Sequence, residues 1–141
     1  MALTQTWTDT GIAELILLLR GEPATEMEYI VALNDTDSCV AAAASTYADP
    51  AEAATHHVDE GLAEQLIDTV AGATVNTAGD TIEFNHIFTA TAARNVVGIH
   101  VLNNDAGSPT VTFIECCFNA LLAMENTDTL TIDGQSTIDQ A

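Results

Sequence analysis

Two cysteines follow a glutamate in FIECCFNA, residues 113–120, and a histidine pair precedes two acids in THHVDE, residues 55–60. Thiolates, imidazoles and carboxylates at close spacing are the donors of metal and redox centres, so chemistry is sought there first. A mononuclear site needs its donors on one side of the backbone. Residues three or four apart meet that condition on a helix, whereas neighbours on a strand point to opposite faces. Whether Cys116 and Cys117 could share an ion therefore depends on the element that carries them.

That element reads as a strand. TVTFIECCF (110–118) is rich in β-branched and aromatic residues and follows NNDAGSP (103–109), which has turn chemistry. Cys116 and Cys117 should then face opposite ways, as two buried small hydrophobes rather than a metal or redox pair. Cys39 is the third cysteine. Three do not make a disulfide framework and adjacent cysteines rarely bridge each other, so the count points to a reducing compartment. His56 and His57 lie near Asp59 and Glu60 but lack the second ligand pair of an HExxH or CxxC motif, and are expected as solvated loop residues. A small metalloprotein built on that pair is the alternative. His86 and His100 interrupt apolar strands and are expected as hydrogen-bonded core or interface histidines. NDTDS (34–38) and NTDTLTIDG (126–134) offer oxygens without calcium-loop spacing. GxSxG, GxxxxGK[ST] and GxGxxG are absent, and Ser108 and Ser136 have no evident base. The sequence thus offers no catalytic residue, no cofactor site and no metal site, and the chain is expected not to be an enzyme.

The surrounding elements follow from periodicity. TDTGIAELILLLRG (8–21) predicts a helix over about 9–20, capped by Asp9 or Thr10. Ile12, Leu15, Ile16 and Leu19 form its apolar stripe, and Gly21 its left-handed stop. EMEYIVAL (26–33) predicts a strand. Residues 34–57 are small, polar and alanine-rich, a long surface excursion with a helical turn at 50–55. LAEQLIDTVAGATV (62–75) fits a helix or a strand, and the strand is favoured. DTIEFNHIFTA (80–90) alternates, with Ile82, Phe84, His86 and Phe88 on one face. NVVGIHVL (95–102) and DTLTIDGQSTI (128–138) continue the β pattern. One domain over 1–141 is expected, mainly β. Its architecture is read as an antiparallel β-sandwich of jelly-roll type with one short N-terminal helix.

Charge limits what such a domain can do. There are 21 acidic residues against two basic ones, Arg20 and Arg94, for a net charge of −19. A folded chain of this mass exposes roughly 7,000 Å², or about one uncompensated charge per 370 Å². In dilute buffer that surface repels itself; at molar salt, where the Debye length is roughly 3 Å, the repulsion is screened. Acids spread along most of the chain suit a salt-saturated medium better than a single basic partner. Nucleic acid is excluded as a ligand, because almost nothing neutralises phosphates. The longest apolar run, Leu15 to Leu19, is far short of the roughly 18 residues of a membrane span, and the opening MALTQTWTDT lacks the basic start of a secretory signal. Between Phe84 and Ile114 only Arg94 and Asp105 are charged. A stretch that escapes the acidic bias should be buried, partly in the core (Ile82, Phe84, Val97, Ile99). The opposite faces (Ile87, Val96, Leu102) should form a contact between subunits.

In layout the chain resembles a group of small structural proteins of tailed viruses. The matching residues are Leu3 and Thr4 with the helix from Gly11 to Gly21, YIVALND (29–35), IEFNHIFTATAARNVVGIHVLNN (82–104) and DTLTIDG (128–134). It departs from that group at Gly98, at His100 and at ECCF. The resemblance implies a non-enzymatic virion component assembled in the host cytoplasm, here of a halophilic virus such as one infecting a haloarchaeon. It would be a capsid decoration, cement or turret subunit forming homo-oligomers on the major capsid protein, with loops available to the host cell surface. A tail, baseplate or fibre subunit is the nearest alternative. A host-encoded carbohydrate- or surface-binding module is another, for which Trp7, Tyr29 and Tyr47 would have to form the aromatic platform.

The charge generates a first prediction: folding and assembly should fail on dialysis to low salt. Circular dichroism and sizing across a salt series report both. An oligomer unchanged at about 10 mM salt, where the Debye length is roughly 30 Å, would rule out adaptation to brine.

Overall fold

Thr8 decides how the chain enters its helix. Its backbone is extended (φ −79°, ψ 159°), and its Oγ1 accepts a hydrogen bond from Gly11 N at 3.0 Å, satisfying a first-turn amide that has no partner within the helix. The same hydroxyl donates to the Thr112 carbonyl. In the computed structural model of the chain, which describes residues 3–34, 39, 57, 61–63, 65–67, 69–71, 81–103 and 111–137, helix α1 therefore spans Asp9–Leu19. The cap falls one residue before the expected Asp9 or Thr10, because Asp9 is already helical and supplies the first-turn acid instead. At the far end Gly21 adopts φ 69°, the left-handed stop expected of it.

The rest of the described chain is β: β1 (Leu3–Trp7), β2 (Tyr29–Leu33), β3 (Gln65–Leu66), β4 (Thr69–Ala71), β5 (Thr81–Thr89), β6 (Arg94–Leu102), β7 (Thr112–Met124) and β8 (Thr129–Thr137). All pairings are antiparallel. One sheet has the order β1-β7-β6-β2-β3, the other β4-β5-β8. The mainly β class with one short helix is as expected. Three details differ. Residues 3–7 form a strand that was not foreseen, pairing Leu3 through Trp7 with Phe118 through Ile114. The single strand expected over 62–75 is two short pieces, one in each sheet, so the chain changes sheets there. β7 runs on past Phe118 to Met124. Of the expected excursion over 34–57, only Asn34, Cys39 and His57 lie among the described residues.

The two sheets share one apolar cluster. The first contributes Ile30, Ala32, Val96, Ile99, Val101, Ile114 and Cys116; the second contributes Phe84, Phe88, Leu130 and Ile132. On β5 the alternation reads as expected, with Phe84 and Phe88 buried, Ile82 and His86 half-buried, and Asn85, Ile87 and Thr89 exposed. On β6 it does not. A register shift against β7 lies between Val96 and Gly98, whose partners are Leu122 and Cys117, so that the single residue Val97 stands against four of β7 and the alternation of β6 breaks across it. Val96 therefore joins Ile99 in the core, while Val97, expected there, is only half-buried.

α1 lies against β7 at glycine distance. A Cβ on Gly11 would come within 2.6 Å of Phe113 Cα and 2.7 Å of its carbonyl oxygen, backbone atoms that cannot turn aside. The helix consequently presents Gly11 and Leu15 inward, so of the expected stripe only Leu15 faces the sheet, while Ile12, Ile16 and Leu19 face out with Leu18 at the border, Leu19 being 74% exposed. Alanine favours an isolated helix over glycine by about 1 kcal/mol. Gly11→Ala is nonetheless expected to destabilise the protein, by about 1–3 kcal/mol of overpacking. Denaturant unfolding in high salt measures this, and a gain in stability would mean that α1 is free to lift off β7.

Candidate functional site

The second face of the five-stranded sheet, turned away from the shared core, carries the chain's buried polar chemistry. Antiparallel pairing lines up Thr6, Glu115, His100 and Val31 in one row across β1, β7, β6 and β2. In the next row Cys117 stands opposite Gly98, which stands opposite Leu33. Val31, Leu33, His100, Glu115 and Cys117 are all buried, so this face is covered as thoroughly as the core face.

His100 Nε2 lies 3.0 Å from Glu115 Oε1, close enough for the ring N–H to donate to the carboxylate. The expectation of a hydrogen-bonded core histidine is met. A carboxylate at this depth would be costly without such a partner. One residue pair away, Cys117 is bonded to Cys39. Gly98 makes room for that bond. A Cβ at Gly98 would sit 2.3 Å from the Cys116 carbonyl oxygen and 3.0 Å from Cys39 Sγ. Cys39 Sγ, Cys117 Sγ and a Glu115 carboxylate oxygen all lie within 4.8 Å of one another.

The strand reading of FIECCF holds: Cys116 and Cys117 do face opposite ways. Cys116 behaves as the expected buried hydrophobe on the core side. Burial, reinforced by the neighbouring Glu115 charge, pushes its thiol up from 9.0 to about 12, which leaves it protonated and unreactive at neutral pH. Cys117 does not fit that reading, nor does the inference that the cysteine count implies a fully reduced protein. The pairing escaped sequence reasoning because Cys39 lies 78 residues away in a segment with no periodicity. A signal was present all the same. Glu115 and Cys117 share a strand face, and an acid in an otherwise apolar strand requires a partner on the next one, where His100 is the polar interruption.

The other candidates disperse. His57, expected in solvent, is buried; its Nε2 lies 2.9 Å from the Asn95 carbonyl oxygen and its amide donates to Ala32 O, fastening the chain to the edge of β2. His56, Asp59 and Glu60 lie outside the described residues, as does Tyr47. His86 packs edge-on to Phe88 with ring centres 4.6 Å apart. Of the residues expected at a subunit contact, Val96 and Leu102 are fully buried within the single chain and are not available to a partner; Ile87, 56% exposed, is. Val96 was misplaced by the β6 register shift, and Leu102 lies on a strand covered on both faces. Trp7 is half-buried and, with Leu15, Leu18, Met27, Ile82 and Phe113, borders an apolar groove of about 370 Å³ beneath α1. Among the described residues no helix is long and apolar enough to cross a membrane.

Neither protein-family models, nor curated proteins, nor solved structures match this chain.

The disulfide closes a loop of 78 residues, for which loop-closure entropy gives a stabilisation of about 4 kcal/mol. Cys39→Ser, or reduction of the wild type, is expected to lower unfolding stability by about 2–4 kcal/mol, read by denaturation with and without a phosphine reductant. Identical curves would mean that the link contributes nothing to the folded state.

Proposed function

We propose that this protein is a non-enzymatic structural subunit that self-associates in concentrated salt, as a capsid decoration, cement or turret component of a halophilic tailed virus. Its two sheets are read as a sandwich of jelly-roll type. The observation that carries the reading is the outer face of α1. Ile12, Ile16, Leu18 and Leu19 are between 43% and 74% exposed on a chain whose net charge is −19. From Leu15 to Leu19 that helix holds no acid at all. A contiguous apolar stripe on so acidic a surface is the composition of an interface centre with a charged surround. Concentrated salt favours its burial twice over, by screening repulsion between copies and by strengthening the hydrophobic term. The occupant that fits is a second copy of the chain, since the same salt brings like-charged copies together and the function needs no other partner to begin assembly.

The virion assignment rests on the ordered motifs shared with small structural proteins of tailed viruses, YIVALND, IEFNHIFTATAARNVVGIHVLNN and DTLTIDG. The major capsid protein is the partner this implies, with the host cell surface as a further contact for exposed loops. The gene should lie beside those for a capsid or tail protein; a metabolic neighbourhood would end the virion reading.

Ile16→Asp and Leu19→Asp test the interface itself. Each adds a charge at an exposed position, so the fold should survive. Buried in a contact, the charge should cost several kcal/mol by desolvation, and light scattering in molar KCl should find folded monomers where the wild type forms a defined oligomer. Ile87→Asp serves as the comparison from the second sheet. If the helix variants assemble like wild type and Ile87→Asp does not, the contact lies on β5. A wild type that is monomeric at every salt concentration would end the self-association reading.

A further inference from the structure

We propose that the Cys39–Cys117 pair is the oxidised form of a redox-gated site for a thiophilic divalent cation of the zinc class, with Glu115 as the third ligand and His100 holding its carboxylate. The inference concerns the second face of the five-stranded sheet and does not depend on the virion reading.

The argument starts from Glu115. A carboxylate oxygen within 4.8 Å of both sulfurs gives a disulfide no favourable interaction, because bridged sulfurs are electron-rich and carry no proton to donate. To a cation the same oxygen is a ligand. Two donors of one zinc ion, at about 2.3 Å for sulfur and 2.0–2.2 Å for oxygen, lie roughly 3.5–3.8 Å apart in a tetrahedron. The three donor atoms are thus within about an ångström of that arrangement, once the sulfurs separate. Reduction leaves two potential thiolates and a carboxylate in a small volume where Glu115 and Cys117 are buried. Three negative charges there would be strongly unfavourable without a counter-ion. A divalent cation offsets them, and the mix of two soft sulfurs and one hard oxygen selects zinc over magnesium or calcium. His100, 3.0 Å from Glu115 Oε1, occupies the place of the hydrogen-bonding partner that orients a ligating carboxylate. Half-exposed Cys39 is the side from which reductant and cation reach the site.

The chemistry balances. A thiol or dithiol reductant delivers two electrons and two protons to the Cys39–Cys117 bond, is itself oxidised to a disulfide, and leaves two thiols. The cation then forms two metal–sulfur bonds and displaces the two thiol protons to solvent. In reverse, a disulfide oxidant takes two electrons from the thiolates, the S–S bond re-forms and the cation leaves.

Cobalt(II) added to chelator-treated, phosphine-reduced protein in high-salt buffer under nitrogen tests this. The expected result is one cobalt per chain, with thiolate-to-cobalt charge-transfer absorption and tetrahedral d–d bands, displaced by zinc. The oxidised protein should show none of it. Cys39→Ser and Glu115→Gln should each lose stoichiometric binding, and Cys116→Ala, altered on the core side, should keep it. If the reduced apoprotein loses native circular dichroism, cobalt should restore it. Failure to restore it, cobalt that binds the oxidised form equally, or cobalt that survives both Cys39→Ser and Glu115→Gln (an adventitious ion on surface carboxylates) would each overturn the proposal.

Discussion

The antiparallel ladder between β6 and β7 fixes the position of nearly every other feature. β7 receives β1 along its outer edge and α1 over Phe113, while β6 hands the sheet on to β2. The ladder also sets Glu115 opposite His100 and Cys117 opposite Gly98. Both strands are covered on two faces over this stretch, so each residue there must be apolar, small or paired. That requirement accounts for the absence of acid from β6, at the centre of the sheet. The register shift near Val96 belongs to the same ladder. Just past it sits Gly98, where a side chain would collide with Cys39 Sγ.

How much could be read from the sequence depended on how local the governing interaction was. The span and C-terminal stop of α1, the strand at 29–33, the alternation of β5 and the opposite facing of Cys116 and Cys117 all follow from period and turn chemistry, and all were legible. Features set by partners far along the chain were not. β1 is too short and polar to announce itself and exists because β7 offers an edge. The facing of α1 is set by the bare Cα of Gly11 against Phe113, a constraint that a count of apolar residues ranks below Ile12 and Ile16. The exchange of Val96 for Val97 goes with a break in register, one residue of β6 against four of β7, that no local period announces. The pairing of Cys39 with Cys117 has no local signature. Gly98, His100, Glu115 and Cys117, which build the buried polar rows, come together only through the register of β6 on β7.

Two surfaces of different character result. One face of the larger sheet buries a carboxylate, an imidazole and a sulfur bridge, held by hydrogen bonding and covalent closure. The outside of the molecule carries its acid in the open, except along the last turns of α1 from Leu15 to Leu19. In concentrated electrolyte the first is shielded from salt by burial and the second depends on it. Under the proposals made above, internal order would respond to reducing agents and self-association to ionic strength.

The pairing of β1 with β7 also has a consequence in time. Leu3 and its partner Phe118 lie 115 residues apart in the chain, so Leu3 is synthesised well before the strand it pairs with. At about 5–20 residues per second, the N-terminal segment waits on the order of 10 s for the strand that completes it. During that interval Leu3–Trp7 and the apolar side of α1 have no β7 to lie against. A nascent chain with so few cations has little beyond its own acidity to keep neighbouring copies apart, and concentrated salt screens that repulsion. The pairing of β1 thus makes the closing of this sheet a step that awaits the synthesis of β7.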